Sequence, residues 1–246
     1  MKKFFVALGL LIIIALSFGF VYFKIQAQGP LDNYFNMHLR FQLAKSRVLR
    51  SALGLHDVGD GRFDYLGRSY KKIKIEVDVM DSEEMQISAL DMLKDKIQAV
   101  TGKPTTYIIS DHAIPFVREL NHDKVIKIVN QYQDYKSGGD TAVVYLLYAS
   151  RDQDQPDTLG KTNQEDGIVL YGDKLHEFTA SEPQVLPQYE ESTALHEFGH
   201  LLGLSHNDEP GCLMNERAEQ SHTAQARPEA VITDFCTYEK SVIESY

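Results

Sequence analysis

Apolar and polar positions alternate over residues 72–79, where Ile73, Ile75, Val77 and Val79 are set between charged side chains. That period of two predicts a strand with one buried face. Past Ser82, read as a helix cap, Met85, Ala89, Leu90, Leu93, Ile97 and Val100 recur at helical spacing, and Gly102 with Pro104 ends the element. Residues 105–109 read as a second strand, and residues 122–135 as a helix closed by Gly138 and Gly139. The run 142–148 is apolar throughout and bounded by turn residues, as expected of a central strand covered on both faces. Residues 152–166 read as a polar loop, 167–171 as a short strand at a sheet edge, 188–204 as a helix and 228–246 as another. This order predicts a mixed α/β (α+β) domain with a twisted sheet and a helix beneath it. Ahead of it, Leu31, Tyr34, Phe35, Leu39, Leu43 and Leu49 are loosely at helical spacing, which predicts one helix over 31–53, ended by Gly54 and the run Gly59-Asp60-Gly61.

The first segment follows a different pattern. Residues 4–23 carry no charge and follow Lys2 and Lys3. Twenty helical residues at about 1.5 Å each span the roughly 30 Å core of a bilayer. The apolar part of a cleavable signal is shorter, about 7–15 residues. The segment therefore reads as a transmembrane anchor, with a signal cleaved near Ala27 as the alternative. Lys2 and Lys3 outweigh Lys24, which keeps the N-terminus inside and exports the rest. The expected division is residues 1–27 as anchor, 28–70 as stalk or pro-segment and 71–246 as the folded domain. The expected location is the cell membrane, single-pass with the domain outside, or secretion if the signal is cleaved.

Composition narrows the partners. The formal charge of −10 leaves no basic face for nucleic-acid phosphates. With 43% apolar and 24% charged residues the chain is neither disordered nor fibrous. Two cysteines, Cys212 and Cys236, allow one disulfide at most.

The chemistry is concentrated in residues 196–206, His-Glu-Phe-Gly-His-Leu-Leu-Gly-Leu-Ser-His. His196 and His200, four apart, project from one face of a helix and can share a metal ion. Ala194, Leu195, Phe198, Leu201 and Leu202 fall on the other side, which would pack under the sheet. Glu197 stands one step round from the first histidine, suited to take a proton from a metal-bound water rather than to bind the metal. Gly203 permits a left-handed exit from the helix, which would return His206 as a third ligand. Three nitrogens leave the open position that a catalytic zinc needs. The other histidines, His38, His56, His112, His122, His176 and His222, lack such spacing and read as surface or satisfied side chains. Asp152, Asp154, Asp157, Glu165 and Asp166 form an acidic loop, either solvated or able to hold calcium through oxygen ligands.

With Met214 eight residues beyond His206, the stretch 195–214 resembles the metzincin clan of zinc metallopeptidases. The resemblance implies a twisted mixed sheet, an active-site helix bearing the three histidines, and a turn that carries Met214 beneath the metal. Leu204, Ser205, His206, Asp208, Pro210, Gly211, Leu213 and Met214 look like a matrixin, whereas Cys212 and its spacing also resemble the archaemetzincins. Archaemetzincins carry further cysteines around a second, structural zinc. Here Asn207 stands at the first of those positions and only Cys236 remains of a later pair, so a four-cysteine site cannot form. Cys212 and Cys236 are then either bonded to each other or two free thiols. The cysteine-bearing pro-segment of matrixins is absent too, since no cysteine precedes Cys212.

The expected function is a membrane-anchored extracellular zinc metallopeptidase acting on peptides or proteins, with His196, His200 and His206 on the metal and Glu197 as general base. Two alternatives remain at this point: a non-catalytic, zinc-stabilised surface binding module, and a zinc amidase of cell-wall peptides. The segment 28–70 could cover the cleft, with Asp57, Asp60 or Asp64 in place of the water.

Overall fold

The computed structural model describes residues 2–215 and 231–246. A long helix, α1 (Lys2–Ala27), leads into three short helices, α2 (Tyr34–His38), α3 (Arg40–Ala44) and α4 (Arg47–Leu53), and then α5 (Arg62–Leu66). The folded body follows as β1 (Lys72–Val79), α6 (Ile87–Thr101), β2 (Thr105–Ile109), α7 (His122–Tyr132), β3 (Thr141–Ala149), β4 (Gly160–Asn163), β5 (Gly167–Tyr171), α8 (Gly172–Thr179), α9 (Leu186–Leu201) and α10 (Thr237–Glu244). One five-stranded sheet runs in the order β2-β1-β3-β5-β4. All neighbours are parallel except β4, which pairs antiparallel with β5.

The alternation read in β1 separates its two faces. Ile73, Ile75 and Val77 face the larger core, together with Val144, Leu146 and Tyr148 of β3 and Ile168 and Leu170 of β5. Helices α6 and α9 close that face through Ala89, Leu90, Leu93 and Ile97 and through Ala194, Leu195 and Phe198. The opposite side of β3, with Tyr145 and Leu147, packs on Val125 and Val129 of α7. The apolar run of β3 is therefore covered on both faces, as its composition requires.

The structure corrects several local readings. β5 is not an edge: β4 lies outside it, inside the stretch read as loop. The single helix expected over 31–53 is three short ones, capped separately by the side chains of Asn33 and Ser46. Ser82 has φ +73°, outside the extended region an N-cap adopts, and α6 starts only after Gln86, whose N–H donates to Glu190 (2.9 Å). The last helix begins at Thr237, and residues 228–230 of the expected one, like His222, lie outside the described residues.

The segment 28–70 is not detached from this body. Tyr65 and Tyr70 belong to the main core, and the Tyr65 ring meets that of Phe198 at 5.3 Å. Arg40 grips Asp60 through two hydrogen bonds (2.9 and 2.5 Å) and also pairs with Asp57. Arg50 pairs with Asp64, and Lys103 donates to the Asp64 carbonyl. Asp57, Asp60 and Asp64 are thus engaged by arginines rather than aimed at the histidines.

Glu191, on α9, is 1% exposed, and its carboxylate oxygens have no hydrogen-bond partner among the described residues. Burial, helped by Asp234 and opposed by Lys96, pushes its pKa up to about 7. An unfolded glutamate ionises near 4.5, so stability falls as pH rises between those values and the full penalty applies above 7. Glu191→Leu, similar in volume, is expected to raise the melting temperature by several degrees at about pH 8 and by less at about pH 5. A calorimetric shift equal at both pH values would contradict it.

Candidate metal centre

α9 begins with Pro187 in its first turn, where a missing N–H costs nothing. Its inner face buries Ala194, Leu195, Phe198 and Leu201 completely. That packing sets the rotation of the helix and turns His196 and His200 to the same side. After Leu201 the chain passes through Gly203 at φ +86°. A Cβ there would lie 2.4 Å from the Arg62 guanidinium carbon, a flexible side-chain end that can move, so it is the backbone angle that demands glycine. The turn brings His206 back over the helix.

The Nε2 atom of His206 lies 3.1 Å from Nε2 of His196 and 3.1 Å from Nε2 of His200. Ligands about 2.0–2.1 Å from a tetrahedral zinc stand about 3.3 Å apart, close to this spacing. The ring orientation fits as well. His196 Nδ1 is 2.8 Å from the Leu213 carbonyl, and His200 Nδ1 is 2.9 Å from the Leu204 carbonyl. Carbonyls only accept, so both Nδ1 atoms donate, which in a neutral ring leaves the Nε2 lone pair facing inward. Three inward nitrogens at this separation suit a cation between them. The three histidines are arranged as the donor set of a zinc ion would be. His196 is buried, His200 half-buried and His206 exposed, which leaves the site open on one side.

Glu197 is 3% exposed and does not join the histidine cluster. Its Oε2 accepts the Thr162 hydroxyl at 2.6 Å. Met214 lies beneath the helix: a Cβ on Gly199 would come within 2.4 Å of its sulfur. Gly199, between the two helical histidines, thus makes room for the methionine turn.

Cys212 and Cys236 are joined in a disulfide. They group with Glu239, whose carboxylate accepts N–H groups from Leu213 (3.2 Å), Met214 (2.6 Å), Cys236 (2.9 Å) and the Asn207 side chain (3.1 Å). Bonded sulfurs are not thiolate ligands, so this cluster restrains the turn without a metal. The acidic loop does not converge. Asp152 accepts from Asp154 N–H, Gln155 N–H and the Tyr171 hydroxyl, Asp157 pairs with Lys174, and Glu165 pairs with His56. His112 is likewise engaged, by Asp78 at 3.0 Å. Sequence reasoning missed Thr162, Gly199 and Glu239. Of these only Glu239 left a local signal, three residues after Cys236 in the spacing of a capping box.

Comparison with known proteins agrees with this geometry. The matrixin family model matches residues 152–231, which hold β4, β5, α9, the three histidines and Met214. The crystal structure of an archaemetzincin from Methanopyrus kandleri superposes with a TM-score of 0.53 at 13% identity, covering 71% of this chain and 95% of that one. The fold is metzincin-like. An archaemetzincin from Archaeoglobus fulgidus (TM-score 0.44, 15% identity, 68% and 98% coverage) and metalloproteinase-II from Bacteroides fragilis (0.47, 15%, 71% and 52%) are also similar. No curated protein matches in sequence. The metzincin-like fold and the matrixin match together support a zinc metallopeptidase.

Proposed function

We propose that the protein is a membrane-anchored, outward-facing zinc peptidase that cleaves peptide bonds with Glu197 as general base. The observation that carries this reading is the convergence of three Nε2 atoms, two of them on oriented rings, beside a buried carboxylate that is not among them. A zinc ion held by His196, His200 and His206 would supply a Lewis acid that acidifies a water and polarises the substrate carbonyl. Glu197 takes the proton from the attacking water and hands it to the leaving amine. Leu213 and Leu204, through their carbonyls, keep two of the rings aimed during this cycle. Substrate would lie extended along the outer edge of β4, the last strand of the sheet among the described residues, adding a strand beside the helix that carries Glu197. A zinc-stabilised binding module would need the histidines but no carboxylate at 197, which favours the enzyme.

Anchoring rests on α1, twenty-six residues whose apolar side chains are largely exposed. The alternative, a signal cleaved near Ala27, would export the same domain without an anchor. On this proposal residues 1–27 are the anchor and residues 71–246 carry the catalytic domain, with residues 28–70 packed against it. Full-length protein from washed membranes, offered a broad peptide library, is expected to cleave, and a zinc chelator is expected to stop it. Protease added to intact cells is expected to remove the domain. Cleavage unaffected by chelation would overturn the zinc reading, and a fully protected domain would overturn the orientation.

A further inference from the structure

The strand at the sheet edge does more than offer hydrogen bonds to a substrate. β4 runs directly against α9 at Glu197: a Cβ on Gly160 would come within 3.2 Å of Glu197 Cγ and 2.7 Å of Thr193 Cγ2. Two residues on, Thr162 turns the same way and brings its hydroxyl 2.6 Å from Glu197 Oε2 and 3.3 Å from the Glu197 carbonyl. A hydroxyl has a single proton, and the shorter contact takes it. The branched Thr side chain is stiff about its first torsion, so the donor is held in place by the strand.

We infer that Thr162 is a positioning residue for Glu197: it fixes the carboxylate by donating its hydroxyl to Oε2. Register links the two functions of β4. Thr162 pairs with Ile168 of β5, so its height above the helix is set by the sheet. A substrate segment added to the outer edge of β4 would bear on the residue that aims the base. This rests on the peptidase reading.

Four full-length, zinc-loaded variants test it: Thr162→Val, which keeps the shape and removes the hydroxyl, Thr162→Ser, which restores a hydroxyl, Glu197→Ala, and the double variant Thr162→Val/Glu197→Ala. Misorientation of a reacting group costs about 10- to 100-fold, so Thr162→Val is expected to lower kcat by that factor. KM and zinc content are expected to stay at their wild-type values, and Thr162→Ser is expected to recover most of the rate. Melting temperatures give a readout independent of turnover. If the bond exists, the shift of the double variant Thr162→Val/Glu197→Ala falls short of the sum of the two single shifts. Wild-type kcat in Thr162→Val, a Ser variant as slow as the Val variant, or additive melting shifts would each overturn the assignment. Wild-type protein that holds zinc and cleaves nothing would instead overturn the peptidase reading, and the positioning role with it, while the melting shifts still report whether the bond forms.

Discussion

Glu197→Gln is expected to keep zinc and fold and to lose peptide hydrolysis by about 10²–10⁴-fold, the range for removing a general base. The amide has the size of the carboxylate and can still accept the Thr162 hydroxyl, so the packing of β4 on α9 survives the change. What it cannot do is take up the water proton. His200→Ala is expected to fail differently. It removes one of three converging nitrogens and leaves His206 Nε2 with a single partner ring, His196. Zinc and activity are then expected to go together. Elemental analysis and steady-state kinetics on the same preparations separate the two outcomes. Wild type is expected to hold close to one zinc per chain. Full activity in Glu197→Gln would refute its role as base, and wild-type zinc in His200→Ala would refute the ligand assignment.

Much of this site was legible because its determinants are local. The spacing of His196 and His200 needs nothing but helix geometry, and the return of His206 needs only Gly203, which the structure holds at a positive φ. β1 and α6 were legible for the same reason: Ile73, Ile75 and Val77, then Ala89, Leu90, Leu93 and Ile97, repeat at the periods of the elements they form. β4 carries no such signal. Gly160-Lys161-Thr162-Asn163 has no apolar alternation, and it becomes a strand only because β5 offers it an unpaired edge. The edge was therefore assigned one strand too far in. Ser82 fails as a cap because its backbone sits at a positive φ and α6 starts only after Gln86, whose N–H is taken by Glu190, more than a hundred residues away in sequence. Segment 31–53 shows that loose spacing is not continuity, since Asn33 and Ser46 each start a new helix. Tyr65 was invisible as a core residue because its partner, Phe198, comes from the far end of the chain.

Glu239 is the buried group whose loss is expected to cost most in stability. It is 1% exposed and its two oxygens accept four N–H groups, three of them from the backbone of residues 213, 214 and 236. Leaving one buried donor unpaired costs ~1–3 kcal/mol, so Glu239→Ala is expected to cost about 3–5 kcal/mol, part of the loss being recovered by water. At the few degrees per kcal/mol usual for a chain of this size, the melting temperature is expected to fall by about 10 °C or more. The effect reaches the metal site through one short path. The Leu213 carbonyl that orients His196 and the Met214 side chain under Gly199 both belong to the turn that Glu239 holds. Loss of an outer partner of this kind weakens metal affinity by about 10–100-fold, so the variant is expected to surrender zinc to a mild chelator that wild type resists. The disulfide makes the test sharper. Cys212–Cys236 still ties the turn to α10 when the carboxylate is gone, so the variant keeps that covalent link while losing the hydrogen bonds. Glu239→Gln should fall between the two: its oxygen can accept some of the donors, but its NH2 faces N–H groups and cannot accept the rest. A Glu239→Ala protein that melts and holds zinc as wild type does would mean that the disulfide alone restrains the methionine turn.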